Sequence, residues 1–178
     1  SPQIAKLAAD SDTAVATAAV SALGSIADGK ALETLAAMRK KASTPMRDSV
    51  AAASLRAAET LIAKSDQSQA ATIYESLLSP DATESVRIAA VNGIAAAKGA
   101  EAVPQLLTLI AGKDEHMRMV AGRCVASIPS GSATRQLVDA LAGASPDTQA
   151  VLVDSLGQRG DASALPAILK LMKSDSAE

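Results

Sequence analysis

Aromatic side chains are nearly missing from this chain of 178 residues: Tyr74 stands alone, with no Trp and no Phe. A core must then be built from Ala, Leu, Val and Ile, whose small side chains let helix axes approach closely. The lack also removes the aromatic anchors that dominate tight protein contacts. Cys124 is the only cysteine, so an internal disulfide is impossible, and His116 is the only histidine. Metal catalysis draws on clusters of His, Cys and carboxylates, so no metal or other cofactor is expected. Charge of one sign is lacking as well: the formal net charge is −2 and the pI about 5.5. Nothing there favours nucleic acid or an anionic membrane surface. No apolar run approaches the roughly 18–20 residues needed to cross a bilayer, so membrane insertion is not expected.

What the chain does have is repetition. GAEAVPQLLTLI at 99–110, SGSATRQLVDAL at 130–141 and DASALPAILKLM at 161–172 align at steps of 31 residues. Extending the frame over SVRIAAVNGIAAAKGAEAVPQLLTLI (85–110) finds the unit five times, at spacings of about 38, 33, 31 and 31. The long first spacing is assigned to an insertion around KKASTPMRDS (40–49). Repeats of this length mark helical arrays.

Each unit reads as two helices. In the first, Leu23, Leu61, Ile94, Val125 and Leu156 follow Ala19, Ala57, Ala90, Ala121 and Leu152 by one helical turn on one face. In the second, Leu35, Ile73, Leu106, Leu137 and Ile168 follow Leu32, Ala70, Val103, Thr134 and Leu165. Asp28, Asp66, Ser130 and Asp161 stand where a short polar side chain caps the second helix. Pro104 and Pro166 fall in its first turn, where a missing N–H costs nothing. Thr44-Pro45 and Ser145-Pro146 repeat that grammar before first helices, and Asp147 adds negative charge at the positive helix end. SPQIAKLAADSD (1–12) overlays LPAILKLMKSDS (165–176), so the chain opens on a second helix. The expected boundaries are a half-repeat at 1–10 and repeats at 11–42, 43–79, 80–112, 113–144 and 145–178. Neither terminal helix has the polar outer face of a solubilising cap, so a segment of a longer protein is expected.

DATESVRIAAVNGIAAAKGAEAVPQLLTLI and VLVDSLGQRGDASALPAILKLM resemble HEAT repeats. The likeness is to the short bacterial variety also found in phycobilisome lyases, with its acidic start, Val-Arg, Ala-rich first helix and Gly-Asp turn. The resemblance covers essentially the whole chain and implies an all-α, right-handed α-solenoid whose second helices line a concave binding surface. Repeat two departs from it, with Ala53-Ser54 where Val86-Arg87 stand. The resemblance also implies a structural role for Arg87 and Arg118, as an inter-repeat ladder bonded to acidic residues such as Asp81 and Asp114.

Catalysis finds little to work with. HEAT-repeat deoxyhypusine hydroxylases build a di-iron site from several His-Glu pairs, whereas this chain has one Glu115-His116, in reverse order. Glycosylases of related fold need aromatic residues and a basic groove. Cys124 lies in a column of small residues with Ala22, Thr60, Gly93 and Ser155, which reads as size-restricted packing. His116 reads as a solvated side chain in a turn. Tyr74 shares a column with Ala36, Leu107, Val138 and Leu169, and reads as a partly buried replacement for an aliphatic residue. Arg39, Lys40 and Lys41 end a second helix, where cations complement the dipole. The solvent-facing columns of the second helices give the candidate partner-binding face: Gln3, Lys6, Thr34, Thr72, Glu75, Gln105, Thr108, Gln136, Asp139 and Lys170. The expectation is a monomeric, non-catalytic scaffold that docks a protein or peptide and no nucleic acid. The alternative is an accessory domain or subunit of an enzyme, bilin-lyase-like or attached to a catalytic or redox domain.

Overall fold

The computed structural model of the chain describes residues 2–41 and 44–175, with side chains at 2–41 and 46–172. Its regular structure is α1 (Pro2–Leu7), α2 (Thr13–Ile26), α3 (Gly29–Lys41), α4 (Thr44–Ala63), α5 (Gln67–Ser76), α6 (Glu84–Lys98), α7 (Val103–Ile110), α8 (Glu115–Ser127), α9 (Gly131–Leu141), α10 (Pro146–Arg159) and α11 (Leu165–Asp175). No strand occurs among the described residues. Two compact units result, residues 1–97 and 98–178.

The capping grammar operates as physical chemistry requires. Asp28 Oδ1 accepts from Ala31 N at 2.8 Å, Asp66 Oδ1 from Gln69 N at 3.1 Å and Asp161 Oδ1 from Ser163 N at 3.0 Å. Ser130 Oγ accepts from Ser132 N and Ser145 Oγ from Thr148 N. The Thr44-Pro45 cap lies outside the described side chains, although Thr44 is the first residue of α4. The residues assigned to an insertion at 40–49 are largely helix: α4 is 20 residues long against 13 to 15 for the other four first helices. Two second helices start later than their sequence pattern, after one 3-10 turn each at Gly99–Ala102 and Ala162–Ala164.

In the first unit α2 packs along α4, with α1, α3 and α5 against them. Val20, Leu23, Ala31, Leu35, Val50 and Ala57 fill the core between them. The seam is closed to the limit of backbone contact, because a Cβ built on Gly24 would sit 2.5 Å from the Ala53 carbonyl oxygen. In the second unit α8 packs on α10, and α7 and α9 lie against the pair. The Ser155 hydroxyl lies 3.0 Å from the Gly122 carbonyl across that seam, and a Cβ on Gly122 would meet Val151 Cγ1 at 2.6 Å.

Three of the five first helices end by a shared device, and in α6 the left-handed residue comes one position later, at Gly99, with Lys98 at φ −102°. Four residues after the core column, Ala27, Ser65 and Gly160 all turn left-handed, with φ of 47°, 63° and 64°. There the chain reverses and a cap N–H returns to the last carbonyls. In α8 the same position is Pro129. Proline has φ near −65° and no N–H, so this helix cannot end that way. Its cap residue Ile128 is extended instead, at φ −73° and ψ 114°.

Candidate functional site

Side-chain chemistry on the second helices is quieter than their sequence suggests. Thr34 Oγ1 donates to the Lys30 carbonyl at 2.7 Å, Thr72 Oγ1 to Ser68 at 3.0 Å and Thr108 Oγ1 to Pro104 at 3.1 Å. Gln136 Nε2 turns back in the same way to the Ser132 carbonyl at 3.4 Å. A helical Thr commonly satisfies its hydroxyl on the carbonyl one turn back. At these four positions a donor is therefore already engaged within its own helix, and the oxygens remain as acceptors. Gln3, Lys6, Glu75, Asp139 and Lys170 are exposed, and Gln105 is half-buried.

Of the expected residues, Thr72 borders a groove of about 380 Å³ between α3 and α5 in the first unit. Leu32, Leu35, Ala36, Ala57 and Ile73 supply its apolar lining; Glu33, Arg39, Gln69, Thr72 and Ser76 supply the polar groups. Glu33 is held by Lys30 at 3.1 Å. Tyr74 corrects the sequence expectation. It is buried at 6% exposure, while its neighbour Ile73 is only half-buried, so the ring has taken the inward position of α5. The ring lies directly on Gly93 of α6, where the absent side chain makes the space for it. Burial, and then the charge of Glu59, raise its phenol above the ordinary value.

Electrostatics in the second unit serve the stack. Arg118 Nη2 donates to the Gly112 carbonyl at 2.9 Å, and Nη1 lies 3.5 Å from Asp147 Oδ2 in the next helix pair. Asp147 is thus the carboxylate beside Arg118, while Asp114 Oδ1 caps α8 on Met117 N. Gln149, one repeat after Arg118, reaches back to the Leu141 carbonyl at 3.2 Å. Arg87 is half-buried and Asp81 exposed.

Arg159 was not visible as a special residue in the sequence. From the end of α10 its Nη1 donates to the carbonyls of Val125 at 2.8 Å, Ala126 at 3.3 Å and Ile128 at 2.7 Å; Nη2 donates to Ser130 at 2.7 Å, and Nε to Thr134 Oγ1 at 3.0 Å. The Val125, Ile128 and Ser130 carbonyls also accept the backbone N–H groups of Ile128, Ser130 and Ala133, so Arg159 adds a second, charged donor to each around the Pro129 turn. Lys64 does a lesser version in the first unit, its Nζ 3.3 Å from the Ile26 carbonyl. Signals existed for both: a basic residue closing a first helix, and a proline where three other repeats turn left-handed.

Cys124 is buried, and burial raises its thiol above the ordinary range, with Arg123 opposing more weakly. His116 is exposed. Among the described residues no group of three or more His, Cys, Asp and Glu could hold a metal ion. No described helix is long and apolar enough to cross a membrane.

Helix pairs joined by short capped turns and packed on small-residue seams define a helical-repeat protein of the α-solenoid class. Residues 70–148 match the family model for HEAT repeats. No curated protein matches it. HEAT repeats generally serve as protein-interaction scaffolds and are typically non-catalytic.

Proposed function

We propose that the chain is a non-catalytic docking module that receives a protein or peptide on the exposed faces of its second helices. The observation that carries this is the α3/α5 groove, where half-buried Leu32, Ala36 and Ile73 line an open trough bordered by polar groups. An apolar floor with a few polar groups at its edge is how sites that bind side chains are ordinarily built. Glu75 and Thr72 on α5 belong to the candidate surface of the first unit; in the second unit, taken by itself, the corresponding second-helix positions are Gln105, Thr108, Gln136, Asp139 and Lys170. With no aromatic anchor on that surface, a single contact is modest, and affinity comes from several repeats together.

A peptide-display library selected on the immobilised 178-residue chain tests this. Selected peptides are then measured against Ala36→Arg, which fills the groove, and Arg123→Glu, which alters an exposed position on the first helix α8. Binding lost in the first variant and kept in the second supports the proposal. Peptides indifferent to Ala36→Arg, and to Glu75→Lys and Asp139→Lys, remove the second-helix face as the site.

A further inference from the structure

Among the described residues, the groove between α3 and α5 has a cation with nothing to hold. Arg39 lines this groove and also a smaller cleft of about 160 Å³ bordered by Lys40, Arg47, Asp48, Ser79 and Asp81. Its side chain is half-buried, and that burial lowers the guanidinium from its ordinary value. Among the described residues it makes no hydrogen bond and no ion pair. The other charged group of the groove, Glu33, sits six residues earlier on α3 and is engaged by Lys30. Asp48 and Asp81 face the smaller cleft together with Lys40 and Arg47, and neither lies within ion-pair reach of Arg39.

A guanidinium carries five donors in a fixed fork and is rarely withdrawn from water without an acceptor. A carboxylate matches that fork with two parallel bonds. Beside it, Leu32, Ala36 and Ile73 give an aliphatic seat with no polar group to satisfy. Because Arg39 lines both cavities, a bound chain has room to continue past it, which fits an acidic side chain within a peptide rather than a chain end.

We infer that the α3/α5 groove selects an acidic peptide segment, seating an aliphatic side chain on Leu32, Ala36 and Ile73 and pairing an adjacent Glu or Asp carboxylate with Arg39. This rests on the reading of the second-helix face as the docking surface.

The test uses two fluorescein-labelled, C-terminally amidated pentapeptides, Ala-Leu-Glu-Leu-Ala and Ala-Leu-Gln-Leu-Ala, titrated against the full chain by anisotropy. Amide NMR shifts of α3 and α5 locate binding, and circular dichroism checks the variants Arg39→Gln and Arg39→Lys. The acidic peptide is expected to bind about fivefold to tenfold more tightly, the worth of a charge-assisted bond at a half-exposed site. That preference should vanish in Arg39→Gln and survive in part in Arg39→Lys. Equal affinity of the two peptides, with shifts confined to α3 and α5, overturns the acidic selectivity and leaves the docking surface standing. No shift in either helix with either peptide overturns both.

Discussion

Replacing Arg159 with Met keeps the apolar stem of the side chain and removes its donors, which isolates the guanidinium's part in holding α8, α9 and α10 together. Four of its contacts are 3.0 Å or shorter, and three of those end on backbone carbonyls of Val125, Ile128 and Ser130. A net value of about 1 kcal/mol for each such bond, after allowance for partial exposure, gives a loss of about 3 kcal/mol. That corresponds to a rise of roughly a hundredfold in the opening equilibrium of the second unit. A single melting temperature is a poor measure for a repeat array, whose neighbouring elements can open separately. Amide hydrogen exchange followed over α8 and α9 is the suitable assay. Arg159→Lys, retaining a single ammonium, should lose about half as much. In the Arg159→Met background, Pro129→Gly should recover about 1 kcal/mol, since glycine permits the left-handed turn that proline forbids. Exchange in α8 within twofold of the parent after Arg159→Met would refute the reasoning, because the carbonyls would then be equally well served by water.

Gly93→Ala should destabilise the first unit by about 1–3 kcal/mol by overpacking against the Tyr74 ring, and Tyr74→Leu should relieve most of it. A double-mutant cycle by denaturant unfolding measures the coupling, and additive losses would contradict the contact. Cys124 should react with a chromogenic disulfide at pH 8 at least about tenfold more slowly than a free thiol, since it is buried and its thiolate is disfavoured. The Asp161 carboxyl is held below the ordinary carboxylate value by hydrogen bonds from Ser163, then Thr134, with the Arg159 charge a smaller aid. A depressed folded value means that its contribution is present above the unfolded pKa and is lost as pH falls through the folded one. An NMR titration should therefore place its midpoint below about 3.8, and Ser163→Ala should raise it.

Much of the fold was legible because it is written in periodic chemistry. Leu23, Leu61, Ile94, Val125 and Leu156 recur at one place in the frame, and every one of them is buried. Asp28, Asp66, Ser130 and Asp161 announce their turns because a capping oxygen must come from a short side chain at the helix start. Features that belong to one repeat were not legible by that route. Arg159 has Ile128 in its place one repeat earlier, so no column marks it. Tyr74 and Gly93 are complementary in volume across two helices, a relation that spacing along one helix does not reveal. The candidate surface was legible as a set of positions but not as chemistry. Whether Thr34 or Thr72 offers its hydroxyl outward depends on a rotamer, and both turn inward to their own backbone. Arg39, without an ion-pair partner among the described residues, looked in the sequence like one of three basic residues closing a helix.

The contact between Gly24 and Ala53 also bears on how this molecule can change. Where two helices touch backbone to backbone, even one added methyl group forces the pair apart, so variation at the seam is selected against on folding alone. Ala36, Gln69 and Thr72 sit one helix away on the rim of an open trough, whereas Leu32 and Ile73 in the same trough pack against the core that holds Ala53. The rim can then change by point substitution on a frame that stays still, and a combinatorial library confined to Ala36, Gln69 and Thr72 is the corresponding way to alter the trough without disturbing the fold.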